Sequence, residues 1–244
     1  MIETKKNLTV VPASLNSKLT NQRRQELITA KAYISKDIYH NRYKTKDIRE
    51  TLQNIYHGKC AFCEQKIEFP QVEHFRPKNI YYWLAYSWDN LLFACLGCNS
   101  HKNNHFEILL KRATAFQLNN IHQLGVKYND LEQNLFVNPE STPNIKAKLV
   151  FDENGNIESS DKAMDYTIKT CKLNRPKLAD ERKRIRDNFI KKIKARFLLK
   201  RPKEQMLESI KDLIQDFKED AQDPKNEYLA FRRYIINHNL IPRF

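Results

Sequence analysis

The stretch CAFCEQKIEFPQVEHFRPKNIYYWLAYSWDNLLFACLGCN, residues 60–99, sets an acid and an imidazole side by side, Glu73 and His74, between two cysteine pairs. Cys60, Cys63, Cys95 and Cys98 form the pattern C-x2-C-x31-C-x2-C. Two residues between cysteines let both sulfurs of a knuckle reach one ion, and two knuckles supply the four soft ligands of tetrahedral Zn²⁺. Four unligated buried cysteines is the plainer alternative, and the paired spacing weighs against it. The 31-residue gap exceeds the usual zinc-ribbon insert. Something more is therefore built between the knuckles, and the zinc is expected to act as a structural staple. The fifth cysteine, Cys171, stands alone in a helical pattern and reads as a core residue.

The rest of the chain bounds what that insert can do. The 244 residues suit one or two domains, and 41% hydrophobic with 30% charged residues is a globular composition. Only 4 glycines are present, too few for the many tight turns of a sandwich or barrel. An α+β, mainly α fold is expected. Lysine and arginine number 43 against 29 acids, a formal charge of +14. Such an excess suits a polyanionic partner, nucleic acid before an anionic membrane. A soluble protein that is merely basic remains the alternative. The longest clean apolar runs, such as LLFAC at 91–95, fall far short of the ~20 residues that cross a bilayer. The opening MIETKKNLTVVPASLN lacks an apolar signal core and reads as a frayed tail. A cytoplasmic location is expected, where paired cysteines favour metal over disulfides.

The periodicity divides the chain into three segments. Residues 1–57 form an N-terminal helical segment, with helices expected near 19–32 and 46–57. Ile48, Leu52, Ile55 and Tyr56 give the second its apolar face, and Gly58 suits its left-handed cap. Residues 58–106 hold the cysteine module. Residues 107–244 are mainly helical, with an ambiguous pattern at 107–144 and a hairpin near 148–158. In that hairpin the Asn154-Gly155 pair would supply the positive φ of a tight turn. A helix ends near Leu173, Pro176 starts the next, and Pro202 stops it near Arg201. Further helices are expected at 206–217 and 228–236. Residues 177–203 carry twelve Lys/Arg and three Asp/Glu, a net of +9. That face is either simply solvated or a surface for phosphate backbones.

EH at 73–74, NL at 90–91 and C-x2-C-N-x2-K at 95–102 together resemble an HNH endonuclease of the four-cysteine zinc type. That resemblance implies a zinc-stapled ββα-metal module embedded in a helical body. The longer string CAFCE…VEHFRPK…YYWLAYSWDNLLFACLGCNSHKNNHF, with VFDENGNIES…LNRPKLADERKRIR after it, is similar to one branch in particular. That branch is PtuB, the HNH component of Septu-type and retron-linked anti-phage systems. The resemblance implies a metal-dependent nuclease, with DNA the favoured substrate, giving 5′-phosphate and 3′-hydroxyl products. It also implies an ABC/SMC-like ATPase partner, PtuA.

The chemistry suits the residue types. Phosphodiester hydrolysis needs a base for water and a cation near the phosphate. By resemblance His74 is the base. Glu73 and Asn99 would offer hard oxygens to Mg²⁺ or Mn²⁺, and Asn90 would hold the loop after His74. The cysteines would then clamp two halves of an active site. Glu73 stands where aspartate is frequent and Asn99 where histidine is frequent, and Asn103, one turn on, could take the latter's place. Lys102, Arg76 and Lys78 are candidate phosphate contacts, whereas His101 and His105 read as surface residues. The aromatic run Tyr81, Tyr82, Trp83, Tyr86 and Trp88 suits packing over the hairpin, or stacking on an unpaired base. Two other readings stay open: a nuclease for RNA such as tRNA, and a non-catalytic zinc subunit for nucleic-acid binding or assembly. His74→Ala is expected to leave the melting temperature almost unchanged.

Overall fold

The computed structural model describes residues 4–115, 120–199 and 201–238. Residues 1–3 of the N-terminal tail, 116–119 of the ambiguous segment and Lys200 of the basic stretch lie outside them. Among the described residues the chain is α+β and mainly helical. The helices are α1 (Lys18–Ala30), α2 (Asp37–His40), α3 (Lys46–Ile55), α4 (Leu96–Lys102), α5 (Leu124–Glu132), α6 (Lys162–Thr170), α7 (Pro176–Phe197), α8 (Lys203–Asp220) and α9 (Leu229–Asn237). The strands β1 (Gln71–His74) and β2 (Leu91–Ala94) pair antiparallel, as do β3 (Val150–Phe151) and β4 (Ile157–Glu158).

The termini of these helices follow side-chain chemistry. Ser17 caps α1 through Thr20 N, and Asp161 caps α6 through Met164 N. Pro176 opens α7, where its missing N–H costs nothing. At the end of α3 the Gly58 N–H reaches back to Gln53 O at 2.8 Å. Both His57 (φ 52) and Gly58 (φ 69) are left-handed there, so the cap is one residue longer than a lone glycine stop.

The hairpin near 148–158 exists, but its turn is wider than a two-residue one. Only Gly155 takes positive φ (79), and Asp152 N bonds Asn156 O at 3.1 Å. A Cβ at Gly155 would come within 2.4 Å of Ala179 O. The turn is therefore pressed onto α7, where buried Arg182 donates to Gly155 O and, at 2.8 Å, to Leu173 O.

One continuous core runs from Leu15 and Leu27 through Tyr56, Trp88 and Phe93 to Leu178, Phe189 and Phe231. β1–β2 lies at its centre, with α3 on β2 and α4 on β1. α7, α8 and α9 pack on one another beside it. Among the described residues the N-terminal segment is docked, not frayed as expected. Lys6 is buried, donates to the carbonyls of Trp88 and Leu91, and pairs with Glu140 at 2.9 Å. Burying an ammonium is costly, and these three acceptors offset the loss of water. Residues 1–16 contain two lysines, Lys5 and Lys6, and the ammonium of Lys6 lands on polar groups distant in sequence, which local composition does not reveal.

Within the aromatic run, Tyr81, Trp83, Tyr86 and Trp88 are buried. They pack rather than present faces to solvent. Tyr86 donates to Tyr39 O and Trp83 to the Tyr128 hydroxyl.

Candidate active site and metal centre

The four cysteines come from two loops brought to one point. Cys60 and Cys63 lie in a turn closed by Cys60 N to Gln65 O and Glu64 N to Cys60 O, with Glu64 at φ 63. Ala61 N bonds Phe93 O at 2.8 Å, fixing this turn to β2. Cys95 is the N-cap of α4 and its sulfur accepts from Cys98 N. The four Sγ atoms lie within 4.8 Å of one another. Cys63 Sγ and Cys95 Sγ are 3.8 Å apart. A tetrahedron with Zn–S bonds of about 2.3 Å has an edge of about 3.8 Å, so the donor set fits a zinc ion. Burial raises the Cys60 thiol well above its ordinary value. Thiolates gathered in such a place need a cation between them.

Arg175 brings a positive charge to this centre. Its guanidinium lies 3.5–3.6 Å from Cys98 Sγ and 3.6 Å from Cys95 Sγ, and it donates to Cys171 O at 3.1 Å. Gly97 leaves room for it, since a Cβ there would meet Nη2 at 3.3 Å. Arg175 precedes α7, so the C-terminal helices reach the cysteines directly. Cys171 is buried behind them.

Glu73 and His74 end β1, opposite Leu92 and Leu91. They line a cleft of about 170 Å³ with Pro77, Lys78, Asn99 and Asn103. His74 is buried, and its Nε2 lies 3.0 Å from Ala85 O. A carbonyl only accepts, so Nε2 carries the proton and Nδ1 keeps a free lone pair. Burial, with Lys78 nearby, holds the His74 pKa well below the ordinary value, and the ring is neutral at pH 7. The Tyr43 ring meets His74 edge-on at 4.5 Å.

Asn90 closes the loop that follows. Its Oδ1 accepts from Arg76 N at 2.7 Å, and its Nδ2 donates to Arg76 O at 3.0 Å and Leu84 O at 3.3 Å. An Asn90→Ala variant strands these buried backbone groups, at on the order of 1–3 kcal/mol each. The expected result is a lower urea midpoint with the zinc retained, measured by denaturation and metal analysis.

Asn99 sits on α4, half-buried, and Asn103 follows the helix at φ 42 with its N–H on Asn99 O. Both face the cleft, so the choice between them stays open.

Two expected phosphate contacts are corrected. Lys102 is fully buried and its ammonium sits 2.7 Å from both Glu73 Oε1 and His74 O. Burial raises the Glu73 carboxyl, and Lys102 opposes that rise. Arg76 is buried too, bonded to Glu132 Oε2 at 2.8 Å and Asn129 Oδ1 at 2.9 Å. Neither cation is free for solvent or ligand, because each already neutralises or bonds an internal oxygen. Lys78 remains half-buried on the cleft. His101 is half-buried and His105 exposed.

Glu132 is the residue that sequence reasoning missed. It is fully buried at the end of α5 and accepts from Arg76, Tyr81 Oη and Ala113 N. It ties the loop after His74 to the aromatic run. On the basic stretch, Arg184 pairs with Glu181, Lys183 with Asp187, and Arg182 is internal. The formal charge of +9 therefore overstates the cation density that α7 offers to solvent.

Septu protein PtuB of Bacillus mycoides (strain KBAB4) is 35% identical to this chain over 172 residues. The chain resembles PtuB. A Septu protein PtuB of Bacillus thuringiensis is 37% identical over 62 residues, 24% of each chain. The longer PtuB match covers 62% of this chain and 55% of the relative, so it spans about half the length of that protein. No family model matches the chain, and no solved structure does. Among the described residues, no helix is long and apolar enough to cross a membrane.

Proposed function

We propose that this chain is a metal-dependent HNH endonuclease that hydrolyses phosphodiester bonds, DNA first among its substrates. It acts as the effector of a Septu-type anti-phage system, in the cytoplasm and under an ATPase partner of the PtuA kind. The observation that carries this reading is the single cleft at residues 73–103. A neutral, tautomer-fixed His74 shares it with the oxygens of Glu73 and Asn99, beside a four-cysteine centre suited to zinc.

The residues divide the work as follows. His74 Nδ1 takes the proton of the attacking water, and Ala85 O steadies the imidazolium that forms. Glu73 and Asn99 would be the hard oxygen donors for Mg²⁺ or Mn²⁺. That ion, when bound, supplies positive charge at the phosphate and the departing oxygen. Asn90 keeps the backbone after His74 from moving, and the cysteines hold α4, with Asn99, against β1. The leaving group is the 3′-oxygen, giving 5′-phosphate and 3′-hydroxyl ends.

Lys102 fits this scheme as a built-in countercharge for Glu73. A Lys102→Met variant leaves a buried carboxylate unpaired, at about 3–5 kcal/mol. Its melting temperature is expected to fall, and Mn²⁺ is expected to restore part of the loss by taking the ammonium's electrostatic role. Thermal melts with and without Mn²⁺ check this, and an equal shift in both conditions contradicts it.

The test of the function is cleavage of plasmid DNA, single-stranded DNA and tRNA by the chain, alone and with its ATPase, in Mg²⁺ or Mn²⁺. The reading requires cutting that EDTA abolishes. Cutting of tRNA alone transfers it to RNA, and binding without cutting under every condition leaves the non-catalytic zinc subunit.

A further inference from the structure

Behind His74 lies a cluster of side chains that does not belong to the cysteine module. Tyr33, His40 and Tyr43 come from the segment around α2. His40 Nδ1 lies 3.0 Å from Tyr33 Oη and 3.1 Å from Tyr43 Oη, so the three side chains form one bonded unit. Tyr43 in turn touches the His74 ring. Two ammonium groups rest on this unit. Lys78 Nζ lies 5.1 Å from the Tyr33 ring centre and 6.0 Å from that of Tyr43, and Lys44 Nζ lies 5.7 Å from the latter.

Two of the ammonium groups at this unit lack a bonded counter-ion. Neither Lys44 nor Lys78 makes an ion pair or a side-chain hydrogen bond among the described residues. Burial lowers the Lys78 pKa from its ordinary value, and the neighbouring Lys44 and Lys102 charges add to that fall against the pull of Glu73. Glu73 faces Lys78, but its carboxylate is already bonded to Lys102. Two cations held near one ring beside the general base are stabilised when an anion spans them.

Resting on the nuclease reading, we propose that Lys44 and Lys78, seated on the Tyr33–His40–Tyr43 unit, form a subsite for the nucleic-acid backbone beside the scissile phosphate. The N-terminal segment thus completes a substrate groove that residues 58–106 alone do not contain. Lys78 takes a phosphate at the cleft and exposed Lys44 takes one further along the same strand. The tyrosines hold the ammonium groups in place by cation–π contact.

The test measures binding of fluorescein-labelled 20-nucleotide duplex DNA, single-stranded DNA and RNA by anisotropy across salt concentrations. It uses the full chain carrying His74→Ala to prevent cutting. Lys44→Ala and Lys78→Ala are each expected to weaken binding several-fold. Each should also reduce the slope of log K against log salt by about 0.9 on duplex and about 0.7 on single strands. Lys44→Arg and Lys78→Arg should keep the slope. In the cutting-competent chain the alanine variants should raise KM more than they lower kcat. Melting curves and zinc content confirm that each variant is folded. If the parent cuts while the lysine variants keep its KM and salt slope, the subsite is overturned and the nuclease stands. If nothing cuts but the slopes fall as stated, the subsite holds and the nuclease reading fails. No binding by the parent overturns the subsite.

Discussion

His74→Ala is expected to lower the rate of nucleic-acid cleavage by about 10²–10⁴-fold, the usual contribution of a positioned general base. The loss should appear in kcat, because in the proposed mechanism the ring acts on the attacking water and not on substrate affinity. Binding of nucleic acid by the variant should stay within about twofold of the parent. Stability will not be untouched, contrary to the expectation from the sequence of an almost unchanged melting temperature. The ring is buried, donates to Ala85 O and packs against Tyr43. Leaving that carbonyl without its donor costs on the order of 1–3 kcal/mol. For a chain of this size the melting temperature should fall by roughly 2–4 °C per kcal/mol. Single-turnover kinetics and a melting curve on the same preparation separate the two effects. A rate within tenfold of the parent would remove His74 from the chemistry.

Cys95→Ser is expected to have the larger structural effect. Structural zinc contributes on the order of 10–16 kcal/mol of apparent folding free energy in isolated small modules. A whole domain's net stability is only about 5–15 kcal/mol. Losing one of four ligands therefore threatens the cooperative fold of this region. Cys95 also caps α4 through Cys98 N, a bond that a serine hydroxyl can keep, so the loss comes through the metal ligand that anchors the helix carrying Asn99 and Lys102. The expected result is zinc well below one per chain and a melting temperature lowered by more than ten degrees. Cleavage should be lost because α4 no longer holds its place on β1. Zinc content equal to the parent's would refute the staple.

The contrast between what the sequence shows and what it hides has a physical basis. Cysteine spacing, the Pro176 start of α7 and the Gly155 turn are local signals, because a ligand pair, a missing N–H and a positive φ each act within a few residues. The α+β, mainly helical character was legible for the same reason. The fates of Lys6, Arg76 and Lys102 were not. Each charged side chain pairs with an oxygen 29 or more positions away, on Glu140, Glu132 or Glu73 respectively. Nothing in their local sequence distinguishes such a lysine from one in solvent. Glu132 was hidden because α5 lies in the segment whose pattern was ambiguous, and a lone acid on a short helix reads as exposed. For the candidate site, residues 73, 74, 90 and 99 stood out by order and spacing. The unit of Tyr33, His40 and Tyr43 lies more than 25 residues upstream of the cleft, and the contact of Tyr43 with His74 that brings it there is long-range.

The most direct test is anomalous diffraction from crystals of the His74→Ala variant grown with Mn²⁺ and a short oligonucleotide, recorded at the zinc and manganese edges. The account predicts zinc bound by the sulfurs of residues 60, 63, 95 and 98. It also predicts manganese within coordination distance of Glu73 and of Asn99 or Asn103, on a phosphate of the oligonucleotide. Cysteines without zinc, or manganese and phosphate bound away from this cleft, would contradict it.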